Sequence, residues 1–136
     1  MILVDTSAWV EFDRATDSPA DRRLTNLIAA EQDIAVTEPV IMEVVAGARD
    51  ARREASLRRL LDRCRLLRFD AAADFDAAAD IYRACRRAGV TPRGMIDCMI
   101  ASVARRHRAS LLACDADLER VAHVMGITLD GPQEDI

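Results

Sequence analysis

Four carboxylates occupy positions where a negative charge is either costly or aimed at a ligand. Asp5 directly follows the apolar run Ile2-Leu3-Val4, and Asp115 directly follows Ser110-Leu111-Leu112-Ala113-Cys114. Glu43 sits in Pro39-Val40-Ile41-Met42-Glu43-Val44-Val45-Ala46-Gly47. Its helical neighbours three and four residues away are Pro39, Val40, Ala46 and Gly47, so it has no local basic partner. Asp97 sits in Gly94-Met95-Ile96-Asp97-Cys98-Met99-Ile100-Ala101, apolar on both sides, with Arg93 four residues before it, where it could pair with Asp97. Each has an ordinary reading. Asp5 and Asp115 would N-cap the helices that follow. Glu43 would be a water-facing edge residue, and Asp97 would complement the helix dipole in a first turn. As a set, however, they have no lysine and no paired histidine to neutralise them. Clustered carboxylates repel, and their pKa values rise unless a cation binds. Oxygen donors favour Mg²⁺ or Mn²⁺ over zinc, and such ions activate water and clamp phosphoryl oxygens. The residues themselves therefore point to metal-dependent phosphodiester hydrolysis.

Absences narrow the chemistry further. All 19 basic residues are arginine. Without lysine there is no Walker-A phosphate loop, no protein-kinase or serine β-lactamase machinery and no Schiff base. Cys64, Cys85, Cys98 and Cys114 form no C-x-x-C pair and lie among apolar residues, so they are expected as buried free thiols. His107 and His123 fit no H-E-x-x-H pattern.

These acids must be positioned by the surrounding elements. The 136 residues, 51% apolar and 31% charged, suit one globular domain spanning 1–136. No apolar run approaches the ~18 residues of a membrane span, and MILVDTSAW has no basic leader region. A cytoplasmic protein with no membrane partner is expected. Ile2–Val4, Ile34–Val36, 66–69, 110–114 and 127–129 read as short strands. Residues 19–31, 39–48, 51–64, 71–88, 95–107 and 116–125 read as helices, the last closed by Gly126 in a left-handed cap. This alternation predicts an α/β, three-layer fold: a short, mainly parallel sheet of about five strands flanked by helices. Ligands of such sheets bind beyond the carboxyl ends of the strands, which is where Asp5 and Asp115 fall.

At these residues the chain resembles the PIN-domain ribonucleases, more narrowly the VapC-type toxins of bacterial toxin–antitoxin pairs. The resemblance spans nearly the whole chain. It rests on Asp5-Thr6-Ser7-Ala8-Trp9, on Pro39–Val44 with Gly47, on Arg93–Ala101, and on Leu111–Leu118. It implies that Asp5, Glu43, Asp97 and Asp115 form the catalytic acid cluster. It further implies that Mg²⁺ or Mn²⁺ is held among Asp5, Asp97, Asp115 and a further acid, Asp117. Thr6 or Ser7 would hydrogen-bond the carboxylates or a water on the ion. Cys114 and Leu118 depart from the family's usual polar residue and Phe, which bears on substrate contacts. The resemblance also implies hydrolysis of tRNA, rRNA or mRNA to a 5′-phosphate and a 3′-hydroxyl, a cognate antitoxin protein and a homodimer. Two rival readings are a non-catalytic PIN-like module binding RNA or protein, and a PIN nuclease in RNA processing rather than a toxin.

The net charge of −4 looks wrong for an RNA-binding protein. Setting aside Asp5, Glu43, Asp97, Asp115 and Asp117 leaves a balance of +1. Arg52, Arg59 and Arg63 lie on one side of the 51–64 helix, away from its leucines, and are candidate RNA contacts together with Arg93. Arg83, Arg86, Arg87 and Arg93 form another basic group, and Arg105, Arg106 and Arg108 a third. For many of these arginines the ordinary reading is a solvated face with local ion pairs. Trp9 would stack on a base near Asp5, belong to the core or line a partner groove.

Overall fold

A computed structural model describes residues 1–131. In chain order the elements are β1 (Ile2–Val4), α1 (Thr6–Arg14), α2 (Pro19–Ala29), β2 (Ile34–Val36), α3 (Glu38–Ala46) and α4 (Ala51–Asp62). They continue with β3 (Arg65–Leu66), α5 (Ala71–Arg87), α6 (Met95–His107), β4 (Ser110–Leu112), α7 (Ala116–Met125) and β5 (Leu129–Asp130). The strands form one five-stranded sheet in the order β3-β2-β1-β4-β5, with every pairing parallel. This is the α/β architecture expected from the alternating pattern.

The central strands are short and apolar because the sheet is covered on both faces. Leu3, Val4, Ala35, Val36, Leu111 and Leu112 are all buried. In register, Ile2 pairs with Ser110, Leu3 with Leu111 and Val4 with Leu112. The Asp5 amide continues the ladder, donating to the Leu112 carbonyl at 2.8 Å. The chain leaves β1 on one side for β2 and returns on the other as β4. That reversal of strand order opens a crevice between the carboxyl ends of β1 and β4.

Several elements differ from the expectation. Helix α1, absent from the ranges expected from periodicity, is the helix that the N-cap reading of Asp5 requires; it begins directly after Asp5 and buries Ala8 and Trp9. The third strand is Arg65–Leu66 rather than 66–69, an exposed edge where only a few residues reach β2. The last is Leu129–Asp130 rather than 127–129, because the Ile127 amide is still donating to Ala122 at the end of α7. Gly126 takes φ 68°, the left-handed cap expected of it. All four cysteines are free, but only Cys85 and Cys98 are buried. Cys64 is half-buried and Cys114 is exposed.

One ion pair ties the helical layer together. Asp74 on α5 is buried, and Arg106 on α6 grips it with Nε at 3.1 Å and Nη2 at 2.7 Å. The same Nη2 donates to the Arg68 carbonyl at 2.7 Å. Arg106 is therefore a structural clamp rather than a free member of a basic face. Among the described residues no helix is long and apolar enough to cross a membrane.

Candidate active site

Three helices begin at the carboxyl edge of the sheet, and each carries a predicted acid at its start. Asp5 is the N-cap of α1, accepting from the Ser7 amide at 3.0 Å. Asp115 is the N-cap of α7, accepting from the Asp117 amide at 2.9 Å. Asp97 lies in the first turn of α6. Capping and clustering are thus the same arrangement: the helix ends supply amides and partial positive charge, and this lets carboxylates gather. Glu43 arrives from the second turn of α3, where Thr6 Oγ1 donates to its Oε1 at 2.7 Å.

The hydroxyls beside Asp5 have distinct tasks. Ser7 Oγ donates to Asp5 Oδ2 at 2.5 Å and accepts from the Cys114 amide at 2.8 Å, so it ties the end of β1 to the segment after β4. Both Thr6 and Ser7 donate to carboxylates.

The electrostatics record how close these acids are. Burial raises the pKa of Asp5; the Ser7 and Thr6 donors work against that rise, and the charge of Glu43 adds to it. Burial, followed by the charges of Asp5, Asp115 and Glu43, pushes Asp97 up to about 6. Arg93 opposes that rise only from a distance. It does not form the pair with Asp97 that its spacing suggested. It instead reaches across to α7, with Nη2 at 2.8 Å from Asp115 Oδ1 and Nε at 3.0 Å from Asp117 Oδ2. Arg120 meets Asp117 from the other side at 2.7 Å.

A cleft of about 520 Å³ opens beside this group, lined by Ser7, Val10, Glu11, Arg93, Cys114, Asp115, Ala116, Asp117 and Arg120. Among the described residues no three His, Cys, Asp or Glu side chains stand close enough to cage an ion by themselves. Oxygen donors suit magnesium, which keeps several waters and takes one or two carboxylates, better than zinc, whose sites are built on nitrogen and sulfur. The donor set is all oxygen. In addition, Thr37, two residues beyond the Leu3–Ala35 pair on the neighbouring strand, is buried with its hydroxyl unpartnered.

The remaining candidates lie elsewhere. Arg52, Arg59 and Arg63 are exposed. Arg63 lines a separate cavity with Gln32 and Ile34 at the amino ends of the strands, opposite the acids. Trp9 is wholly buried, edge-on to Phe12 with ring centroids 5.9 Å apart, so it belongs to the core and stacks on no base. Sequence reasoning missed Arg120, Glu11 and Thr37. Only Arg120 left a signal, three residues after Asp117 on a helix.

Comparison with known proteins places this geometry. The PIN domain family model matches residues 2–124. Ribonuclease VapC11 of Mycobacterium tuberculosis is 46% identical over 128 residues, covering 93% of this chain and 96% of the relative. Among solved structures, VapBC2 from Rickettsia felis bound to a promoter DNA fragment superposes with a TM-score of 0.74 at 21% identity. That match covers 96% of this chain and 98% of the other. DNA-bound VapBC from Salmonella typhimurium gives 0.72 at 20% identity, covering 95% and 96%.

Proposed function

The chain belongs to the PIN-domain family, alongside the VapC ribonucleases, and from that premise we propose that it is a divalent-metal-dependent endoribonuclease. In this reading it acts as the toxin of a toxin–antitoxin pair, is neutralised by a cognate antitoxin and works as a homodimer. The observation that carries the catalytic reading is the gathering of Asp5, Asp97 and Asp115 at three helix starts beside Glu43, with Asp97 raised to about 6 by burial and by the other acids. A group of charges held against its own repulsion is what a cation site requires. The proposal of an antitoxin partner draws on the VapBC assemblies whose fold the chain shares.

The ion, Mg²⁺ or Mn²⁺, would be drawn to the set Asp5, Asp97, Asp115 and Asp117, with Glu43 alongside. When bound it would supply Lewis-acid polarisation of a phosphoryl oxygen and activation of water. The chain's own residues do the rest. Ser7 fixes the Asp5 carboxylate and keeps β1 in register with the segment after β4. Thr6 holds one oxygen of Glu43 and leaves the other free to orient water or accept a proton. Arg93 and Arg120 line the cleft where the RNA backbone would run. The exposed Arg52, Arg59 and Arg63 face is proposed to attract RNA at longer range.

The test is to induce the protein in cells and map new 5′ ends on total RNA, with Asp97→Asn as control. Defined cleavage with wild type and none with the variant is expected, and Mg²⁺-dependent cleavage surviving in Asp97→Asn would overturn the catalytic assignment. RNA or protein binding without cleavage would favour the non-catalytic module. Co-purification of a small DNA-binding partner distinguishes a toxin from a processing nuclease.

A further inference from the structure

The five acids of the cluster are not treated alike by their neighbours. Asp115 and Asp117 are already neutralised. Arg93 spans both, at 2.8 Å and 2.9 Å from Nη2, and Arg120 adds a contact of 2.7 Å to Asp117. Asp5 and Glu43 receive only neutral donors, from Ser7 and Thr6. Among the described residues no cation stands within salt-bridge distance of Asp5, Glu43 or Asp97. The cluster is therefore split into a half that lacks positive charge and a half that has its own.

We infer that Arg93 stands in the place of a second divalent cation, so that the cluster holds one ion per chain, on the Asp5–Asp97 side. This rests on the metal-dependent reading above and narrows its donor set. A planar guanidinium fork matches two carboxylate oxygens in a way that an ammonium or a water does not. Its origin also fits. Arg93 precedes Gly94, the N-cap of α6, so the guanidinium and Asp97 are carried by the same helix start, while its partners begin α7. Arg93 thus holds the two helix starts at a set spacing while occupying oxygens that a second ion would need. The Arg93 side chain is still 67% exposed, so it remains within reach of a phosphate while it bridges. It acts here as a positioning residue.

The test is Mn²⁺ titration of the full chain by calorimetry, with bound ion counted by electron paramagnetic resonance. Wild type is expected to bind one Mn²⁺ per chain. Arg93→Gln is expected to bind two, and Asp97→Asn to lose the first. Arg93 lies at the surface, and unchanged circular dichroism and thermal midpoint will show that Arg93→Gln is folded. Two ions in wild type, or a single ion in Arg93→Gln, would overturn the inference while leaving metal dependence intact. No binding by wild type would remove the metal reading itself, and this inference with it.

Discussion

Thr6 and Glu43 are 37 residues apart in the chain, yet the threonine hydroxyl donates to the glutamate carboxylate at 2.7 Å. The bond joins the first residue of α1 to the middle of α3 and sets which way the Glu43 carboxylate faces. Thr6→Val keeps the shape and removes the donor. Its expected effect is a loss of about 10-fold or more in RNA cleavage rate with an unchanged fold, the usual cost of removing a group that orients a functional side chain. Single-turnover kinetics on a defined RNA, with circular dichroism as control, checks this.

Asp97 makes the metal-free protein sensitive to pH in a particular direction. Its folded pKa, about 6, lies above the ordinary carboxylate value, so the folded chain holds the proton more tightly than the unfolded chain. Its contribution is most favourable at low pH and is lost as pH rises towards and through 6. In EDTA at pH 7, Asp97→Asn should therefore raise stability by about 1–2 kcal/mol, a figure discounted because the group is partly in water. The same variant should abolish cleavage. Thermal melts at pH 5 and pH 7 test the first point; a variant less stable than wild type at pH 7 would contradict it.

Asp74 behaves in the opposite sense. Burial works to raise its pKa, but the Arg106 fork and the Asp70 amide more than offset this and hold it below the usual value. Its stabilising contribution is present above the unfolded carboxylate range and disappears as pH falls through the lowered folded value. Arg106→Met leaves the buried acid without its partner. A loss of about 2–4 kcal/mol is expected, around the lower part of the range for breaking a buried pair because Arg106 itself is partly exposed. Urea unfolding at pH 7 measures it.

The arginine face on α4 calls for a binding measurement rather than a rate. In an Asp97→Asn background, replacing Arg52, Arg59 and Arg63 with Ala should weaken RNA binding. It should also flatten the plot of log affinity against log salt by about 0.7 for each phosphate that is no longer neutralised. An unchanged slope would assign these side chains to solvent.

How much of this was legible beforehand depends on the range of each interaction. The four acids could be picked out because what marks them is local: an apolar run before Asp5 or Asp115, an apolar helix around Glu43 and Asp97. The parallel sheet followed from alternating periodicities. Helix α1 was missed although Ala8, Trp9 and Phe12 are spaced for one face, because Asp5 reads as the end of a strand before it reads as a cap. Arg93, which could have paired with Asp97 four residues on, turns elsewhere for a physical reason. The i, i+4 rule holds only inside a helix, and α6 begins at Met95, so Arg93 lies outside it and is free to turn towards α7. The strand shifts at β3 and β5 arise at sheet edges, where pairing with a neighbour decides the boundary and residue preference does not.

The order of strands has a consequence in time as well as in space. β1 is among the first segments to be made, but its partner on the side of Asp115 is β4, and Ile2 meets Ser110 only after more than a hundred intervening residues have been added. Asp5 cannot be joined through Ser7 to the Cys114 amide, or lie beside Asp115, before that late pairing forms. A nascent chain can complete β2, α3 and even α5 and still carry only scattered carboxylates. Closing so long a loop is slow compared with forming helices. The acid cluster proposed as the active site therefore assembles only when nearly the entire domain has been translated.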